Sequence, residues 1–332
     1  MKTLLIHFVI LIFFFIQSAF SGENLDAFPT DVQYYTIQIK SVPYDDRDQA
    51  YDLGRVLREK NYPVYYRVKR INRQLFVRVR VGAFNSISTA DSFAEILKSK
   101  EGFEYFIDNL DVFVDNYKDR FFIFTTPQSV FYWNGEQTFG LYNEPPLDNA
   151  RISPDGTDIV FSIPHKIIKV NIDSKDVSIL REDVKTPDEL VRPDAGWSPD
   201  GMYIAFLMYN EWEMKTELWV MDRDGSSARC LVPYDASNQY SVKSFLWSPV
   251  ENKIFYVFGA AYGTSSFGGD IYQTDLEGNI RPVAIADRKD RAEVYRNFRI
   301  AGDTLYYKVV HYLNDQYMNR EFLLRKISIN DF

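Results

Sequence analysis

A short turn sequence recurs in the second half of the chain at a nearly constant interval. Its copies are Ile152-Ser153-Pro154-Asp155-Gly156, Trp197-Ser198-Pro199-Asp200-Gly201 and Trp247-Ser248-Pro249-Val250-Glu251-Asn252. Their serines are 45 and 50 residues apart. Serine, proline and glycine in this order favour a type I turn, because proline presets φ at the second corner and glycine suits the fourth. The repeat therefore predicts repeated β units, and its aspartates are expected to be turn residues rather than catalysts.

Each copy of the turn is followed by a first strand and then by a second. The first of these strands are Ile159 to Ile163, Ile204 to Met208 and Ile254 to Phe258. A repeat of about 40 to 50 residues is the length of one four-stranded propeller blade. Weaker copies occupy residues 121–142 and 298–329. We therefore expect an all-β propeller of about five blades over residues 119–332.

The repeated turn and strand pattern resembles the WD40-like repeats of the TolB-type β-propeller over most of residues 119–332. The resemblance implies the fold more strongly than a function, because one fold supports many activities. For this half of the chain we expect a surface that binds one or more proteins of the cell envelope.

The start of the chain has the features of a secretory signal peptide. Lys2 precedes an apolar run from Leu4 to Ile16, and Ala19 and Ser21 then provide small residues at cleavage-site spacing. The apolar run is shorter than the roughly 20 residues that a spanning helix needs, so we expect cleavage after Ser21 and no stable membrane span afterwards. An uncleaved anchor is the alternative. The sequence thus predicts a signal peptide at residues 1–21, a tether at 22–33, and an exported protein of the periplasm or envelope.

Residues 34–110 predict a separate α+β domain. Period-2 alternation marks three strands, and helical spacing of apolar residues marks two helices before a final strand. The strands are expected at Tyr34 to Val42, Val64 to Arg70, Leu75 to Phe84 and Phe103 to Ile107, and the helices at about 45–61 and 88–99. This β-α-β-β-α-β order gives a ferredoxin-like or RNP-like antiparallel sheet with both helices on one face. The opposite face is expected to be open to solvent.

Aromatic and cationic side chains alternate onto that expected open face. The predicted outward residues are Thr36, Gln38, Lys40, Tyr65, Arg67, Lys69, Phe76, Arg78 and Arg80. Between Tyr65 and Arg80 there are six basic residues and no acidic one, although the whole chain carries a net charge of -8. The face is therefore expected to be locally positive. Aromatic rings can stack on sugar faces, and amide and guanidinium groups can hydrogen-bond hydroxyl, amide and carboxylate groups.

The same stretch resembles the SPOR (sporulation-related repeat) domain. Tyr35-Thr36-Ile37-Gln38-Ile39 is similar to the opening strand of that family, and Arg78-Val79-Arg80-Val81-Gly82-Ala83-Phe84 is similar to its R-V-x-V-G-x-F strand and turn. The resemblance implies binding to peptidoglycan glycan strands stripped of stem peptides, as found where cells divide. The residues expected to bind the glycan are Gln38, Tyr65, Arg67, Phe76, Arg78 and Arg80.

Two other binding roles compete with the glycan interpretation. The same topology with sheet-face aromatics describes an RNA-recognition module, in which bases stack on the rings. An exported protein meets the cell wall rather than RNA, so no nucleic-acid partner is expected. The SPOR-like domain could also serve only as a protein-interaction module.

The sequence offers little for catalysis, and we expect no enzyme activity, no metal and no cofactor. After the signal region the only histidines are His165 and His311, and there is no G-x-S-x-G elbow. Clustered cysteine and histidine for zinc and dense acidic loops for calcium are also missing from the sequence. The alternative is a propeller-based carbohydrate-active or peptidase-like enzyme. Two carboxylates converging on a pocket in the central channel would favour it.

Overall fold

The computed structural model describes residues 32–118, 120–126, 128–134, 138–143, 150–184, 194–209, 215–261, 268–286, 292–313 and 320–332. The predicted signal peptide and residues 22–31 of the predicted tether lie outside these ranges. Within them, no helix is both long enough and apolar enough to cross a membrane.

The N-terminal domain has the predicted β-α-β-β-α-β order. Its elements are β1 (Tyr35–Pro43), α1 (Arg47–Glu59), β2 (Val64–Ile71), β3 (Gln74–Phe84), α2 (Ile87–Glu101) and β4 (Phe106–Asn109). The four strands form one antiparallel sheet in the order β2-β3-β1-β4. The central position of β1 and β3 places the R-V-x-V-G-x-F strand beside the opening strand.

Both helices pack on one face of this sheet, as the alternation predicts. Ala50 and Leu57 of α1 and Leu97 of α2 share a core with Val64, Val77, Val79 and Val81. Helix α2 begins after Ser86, whose Oγ accepts a hydrogen bond from the Thr89 backbone nitrogen at 3.2 Å. It ends at Gly102, whose φ of 76° is the left-handed conformation that favours glycine.

The rest of the described chain is a series of antiparallel meanders, in each of which a strand pairs with the next one in sequence. The first consists of β5 (Phe113–Tyr117), β6 (Phe121–Thr125), β7 (Val130–Trp133) and β8 (Thr138–Tyr142). The second consists of β9 (Arg151–Ile152), β10 (Asp158–Ile163), β11 (Lys166–Asn171) and β12 (Val177–Arg181). The first meander therefore begins upstream of residue 119.

Two further meanders and a three-stranded unit complete the described structure. The third consists of β13 (Ala195–Trp197), β14 (Tyr203–Tyr209), β15 (Thr216–Asp222) and β16 (Arg229–Val232). The fourth consists of β17 (Tyr240–Trp247), β18 (Lys253–Ala260), β19 (Gly268–Asp275) and β20 (Ile280–Ala284). The last consists of β21 (Ala292–Ala301), β22 (Thr304–Tyr312) and β23 (Arg320–Ser328). Strand β21 also pairs with β19, which joins the last two units into one sheet.

The recurring Ser-Pro-Asp-Gly sequence forms the turn between the first two strands of a meander. The Ser153 hydroxyl donates to Asp155 at 2.6 Å and accepts from the Asp158 backbone nitrogen at 3.0 Å. The Ser198 hydroxyl makes the equivalent bonds to Asp200 and to the Tyr203 nitrogen. The prediction that these aspartates are turn residues is confirmed.

Side chains of one meander also bond the turn of the meander before it. Arg223 of the third meander contacts Asp155 at 2.7 Å and Asp158 at 2.6 Å. The Asn252 amide of the fourth donates to Asp200 of the third at 2.6 Å. These links repeat because the turns repeat.

The Arg223 link predicts a loss of stability in acid. Burial would raise the pKa of Asp155, but hydrogen bonds from Arg223, Ser153 and Thr157 outweigh it and hold that pKa well below its ordinary value. A carboxyl with a depressed folded-state pKa stabilises the fold above its unfolded pKa of about 4 and loses that contribution as the pH falls below it. We expect Arg223→Met to lower the melting temperature at pH 7, and the difference from wild type to shrink toward pH 3 in a thermal-melt series. Arg229→Met, which removes a guanidinium bonded to the Leu276 carbonyl, is the control. An Arg223→Met difference that stayed constant with pH would contradict the assignment.

Candidate functional site

The sheet face opposite the helices is only partly open, which corrects the predicted solvent-exposed face. Tyr65 is 0% and Arg80 is 1% exposed. Side chains of the first meander cover Tyr65 and form one core with the sheet, and Arg80 is buried in ion pairs with Asp108 and Asp111. That core contains Tyr34, Tyr65, Ala83, Phe122, Phe124, Phe131 and Trp133. Tyr65 and Arg80 therefore point away from the helices, as predicted, but into protein rather than solvent.

The covering side chains come from a strand that is apolar on both sides. In β6, Phe122 and Phe124 pack on the N-terminal domain, whereas Phe121 and Ile123 pack toward the second meander. The Phe124 ring centroid lies 6.2 Å from that of Tyr65. The Tyr65 hydroxyl donates to Thr36 Oγ1 at 3.0 Å, and burial raises the pKa of Tyr65 to about 12. Tyr65 is thus a neutral, satisfied core residue at neutral pH.

Two aspartates neutralise part of the predicted positive charge. Arg80 donates to Asp108 Oδ2 and Asp111 Oδ1, each at 2.5 Å. Arg78 donates to Asp108 at 2.9 Å, and Arg67 Nε lies 3.3 Å from Asp111 Oδ2. Both aspartates follow Arg80 in sequence, so the local count between Tyr65 and Arg80 did not include them. The face carries less excess charge than predicted.

Part of the sheet face opposite the helices remains accessible to solvent and forms an open patch. It consists of Gln38, Arg67, Lys69, Phe76, Arg78 and Phe106. Gln38, Arg67, Phe76 and Arg78 are partly buried, Lys69 is exposed, and Phe106 is 61% exposed. Across the strands, Arg67 is the partner of Arg78, Lys69 of Phe76, and Gln38 of Phe106.

Phe106 is a candidate that the sequence reasoning missed. The final strand was expected at Phe103 to Ile107, and its outward residues were not assigned. In the structure Ile107 packs on the helix side, so Phe106 and Asp108 lie on the same face as Arg78. The alternation Phe106-Ile107-Asp108 contains the signal that would have identified it.

Unpartnered polar atoms concentrate at this face. Gln38 Oε1 and Arg78 Nε are buried and have no hydrogen-bond partner in the part of the chain that the structure describes. The Nε atoms of Arg67 and Arg80 also lack a hydrogen bond within those residues, but Arg67 Nε is ion-paired with Asp111 and Arg80 is enclosed by protein. Buried polar atoms are usually hydrogen-bonded, so such exceptions mark places where a ligand can complete the bonding. One acceptor beside several guanidinium donors suits a ligand that bears hydroxyl, amide and carboxylate groups.

A separate cavity of about 580 Å³ lies where the ends of β5, β9, β13 and β17 meet. Asp115, Arg151 and Asp194 line it, together with Trp197 and Trp247. Burial raises the pKa of both aspartates, and the Arg151 guanidinium opposes that shift at each. Two carboxyl groups therefore line one cavity, an arrangement that the sequence alone did not select.

The two histidines after the signal region and the remaining acidic side chains of the described residues form no metal site. His165 has a φ of 64°, and its Nδ1 lies 3.3 Å from the Val184 carbonyl, which makes it a turn residue. Among the described residues, no group of three or more histidine, cysteine, aspartate or glutamate side chains is placed to hold a metal ion.

Comparisons with known proteins found similar solved structures and one matching family model. Solved structures to which this chain is similar include a putative TolB from Agrobacterium tumefaciens. It has 18% identity and a TM-score of 0.40, and the match covers 50% of this chain and 61% of that chain. A putative conserved lipoprotein from Clostridium novyi NT has 17% identity, covering 41% of this chain and 86% of that one, with a TM-score of 0.37. Dipeptidyl peptidase 4 of Porphyromonas gingivalis has 11% identity, covering 67% and 38%, with a TM-score of 0.42.

The chain spans about three fifths of the length of that TolB structure. A search of curated proteins finds no match to this chain. The family model described as the SPOR domain matches residues 31–107, the range occupied by the β-α-β-β-α-β domain. Residues 31–107 are therefore a SPOR domain.

Proposed function

We propose that this chain is an exported peptidoglycan-binding protein of the cell envelope, which binds glycan strands through the open patch of its SPOR domain. The SPOR match at residues 31–107 carries the proposal, because SPOR domains bind peptidoglycan. The site differs from the one expected from sequence. We propose that Gln38, Arg67, Phe76 and Arg78 bind the glycan and that Phe106 joins them. Tyr65 instead packs on the first meander, and Arg80 is buried in ion pairs with Asp108 and Asp111.

The chemistry of the open patch suits a glycan strand. Phe76 and Phe106 offer aromatic faces for the apolar faces of sugar rings. Gln38 Oε1 can accept a bond from a hydroxyl or an N-acetyl N–H, and Arg67 and Arg78 can donate to a carboxylate. Removing the stem peptide from a strand frees the lactyl carboxylate to which it was attached. A stripped strand therefore presents the anion that these arginines favour.

The meanders are proposed to be the blades of a propeller of about five blades that binds an envelope protein. The first strands β5, β9, β13 and β17 each contact the first strand of the next meander, as blades around a common axis do. We infer a non-catalytic role. Among the described residues, the cavity that contains Asp115 and Asp194 has neither a histidine nor a cysteine in its lining to act as a base or nucleophile.

Co-sedimentation of the purified protein with peptidoglycan sacculi tests the glycan site. Sacculi are used intact and after an amidase has removed their stem peptides. We expect stronger binding to the treated sacculi, and Phe106→Ala or Phe76→Ala to weaken it about tenfold, the equivalent of about 1.4 kcal/mol of lost stacking. Phe139→Ala, which removes an exposed phenylalanine from the first meander, is the matched control and should bind as wild type does.

Two outcomes would contradict this proposal. Equal binding by wild type and both patch variants would place the wall contact elsewhere or reduce the domain to a protein-interaction module. Binding of single-stranded RNA in a filter assay, lost in the same two variants, would support the nucleic-acid interpretation instead.

A further inference from the structure

Arg151 stands at a position of the meander repeat where the next two copies of the turn carry no charge. It immediately precedes Ile152-Ser153-Pro154, and the equivalent residues before the next two turns are Gly196 and Leu246. The third meander forms the same strand and turn with a glycine at this position, and the fourth forms them with a leucine. The fold therefore does not require a guanidinium at residue 151.

The Arg151 guanidinium also has no polar side-chain or backbone partner among the residues that the structure describes. Its Cζ lies 4.0 Å from the Phe113 ring centroid, and the side chain is half-buried at the wall of the cavity. In the described ranges, this guanidinium forms no hydrogen bond and no ion pair within 4.0 Å. A guanidinium has five N–H donors, and leaving them unpaired while partly desolvated costs free energy. A ligand in the cavity would recover that cost.

Asp115 and Asp194 bring two carboxyl groups to the same cavity. Asp115 lies on β5, and its Oδ2 accepts a hydrogen bond from the Ile152 nitrogen at 2.7 Å, which fixes the side chain. Asp194 immediately precedes β13. Both carboxyls lie within the electrostatic influence of Arg151, although neither forms an ion pair with it among the described residues. The cavity thus brings one cation and two acids together, and no direct ion pair joins them among the described residues.

Two tryptophans also line the cavity, Trp197 and Trp247. The Trp197 indole donates to the Arg151 carbonyl at 3.1 Å, and the Trp247 indole donates to the Gly196 carbonyl at 2.9 Å. Each ring is therefore fixed to the neighbouring meander. A cavity of about 580 Å³ is in the size range of small-molecule sites, which run from about 300 to 1,000 Å³.

We propose that this cavity binds a zwitterionic peptide group, with its carboxylate held by Arg151 and its ammonium held by Asp115 and Asp194. A simple anion would meet the two aspartates, and a simple cation would meet the arginine. A group bearing both charges satisfies all three side chains, and the planar fork of arginine favours a carboxylate. Two sources carry this chemistry: the stem peptides of peptidoglycan and the terminal or charged residues of a protein segment. The proposal does not depend on the open patch.

Tryptophan fluorescence and isothermal titration calorimetry of the full chain test it. The probes are the stem tetrapeptide released from sacculi, the linear tripeptide Ala-Glu-Lys, and both peptides after acetylation of their amines or amidation of their carboxylates. We expect the free peptides to bind and the blocked forms to bind at least about tenfold more weakly. Tighter binding of the stem tetrapeptide would identify peptidoglycan as the source of the ligand, and tighter binding of Ala-Glu-Lys would identify a protein segment. Equal affinities would still support a zwitterionic peptide group as the ligand.

Variants separate binding from folding. Arg151→Leu reproduces the residue that the fourth meander carries at Leu246, so we expect the melting temperature of wild type and a loss of affinity of about tenfold or more. Arg229→Leu, which removes an exposed arginine from β16, is the control for loss of one cation. The proposal is overturned if Arg151→Leu binds as wild type does, if the blocked peptides bind equally well, if inorganic phosphate binds as tightly as the free peptides, or if no probe binds at millimolar concentration.

Discussion

Replacement of Phe124 by alanine is expected to lower the free energy of unfolding by about 3–5 kcal/mol, the usual cost of removing a buried phenylalanine ring. Phe124 is 0% exposed, its ring stacks on Phe131 with centroids 5.0 Å apart, and it also packs on Tyr65 and Phe122. The cavity left behind would lie between the SPOR domain and the first meander. Urea unfolding followed by tryptophan fluorescence and circular dichroism measures the change.

The control for this variant is again Phe139→Ala, because Phe139 is 36% exposed and its removal leaves no closed cavity. We expect it to change the free energy of unfolding by less than about 0.5 kcal/mol. An equally small effect of Phe124→Ala would show that the sheet face is not covered in solution. It would also restore Tyr65 and Arg80 as candidates for glycan binding.

The double variant Asp108→Asn/Asp111→Asn is expected to destabilise the protein by about 3–5 kcal/mol, because it leaves the Arg80 charge buried without a carboxylate. Arg80 bonds both aspartates and is 1% exposed. Each single variant leaves Arg80 one carboxylate, so the two single losses should sum to less than the loss in the double variant. Chemical denaturation of the three variants measures this difference.

A rescue substitution distinguishes a buried charge from a simple loss of packing. Adding Arg80→Met to the double variant removes the unpaired charge and keeps most of the side-chain volume. We expect most of the lost stability to return. If the triple variant is less stable than the double variant, the Arg80 stem rather than its charge stabilises this face, and the ion-pair argument is wrong.

Much of the SPOR domain could be predicted because its signals are local. Alternation in Tyr35–Pro43 and Val64–Ile71, and the helical spacing of Ala50 and Leu57, depend on neighbours a few residues away. The meander turns were predictable for the same reason, since serine, proline, aspartate and glycine select the turn by their own conformations.

The covering of the sheet face could not be predicted by the same reasoning. Alternation places Tyr65 and Arg80 on the face opposite the helices, but it does not say what lies above that face. The partner side chains, Phe122 and Phe124, are more than forty residues away in sequence. The apolar run Phe121-Phe122-Ile123-Phe124 was a signal, because a strand that is apolar on both sides must be buried on both sides.

The cavity was missed because the repeat was interpreted as turn chemistry alone. Comparing the residue before each turn, rather than the turn itself, singles out Arg151 against Gly196 and Leu246. The aspartates had no comparable signal. Asp115 and Asp194 are 79 positions apart, and only the placement of β5 beside β9 and of β9 beside β13 brings both to Arg151.

The aromatic core beneath the sheet has a mechanical consequence. Tyr34 and Tyr65 share that core with Phe122, Phe124 and Trp133, and the Leu110 nitrogen bonds the Tyr34 carbonyl as the chain passes from one part to the other. The described residues that connect the SPOR domain to the first meander therefore do not form a flexible linker, because Leu110 and Val112 also pack against this core. If the SPOR domain binds a glycan strand as proposed, a force or rotation applied to that strand would be transmitted to the meanders through this core. A protein bound to the meanders would then rotate together with the strand.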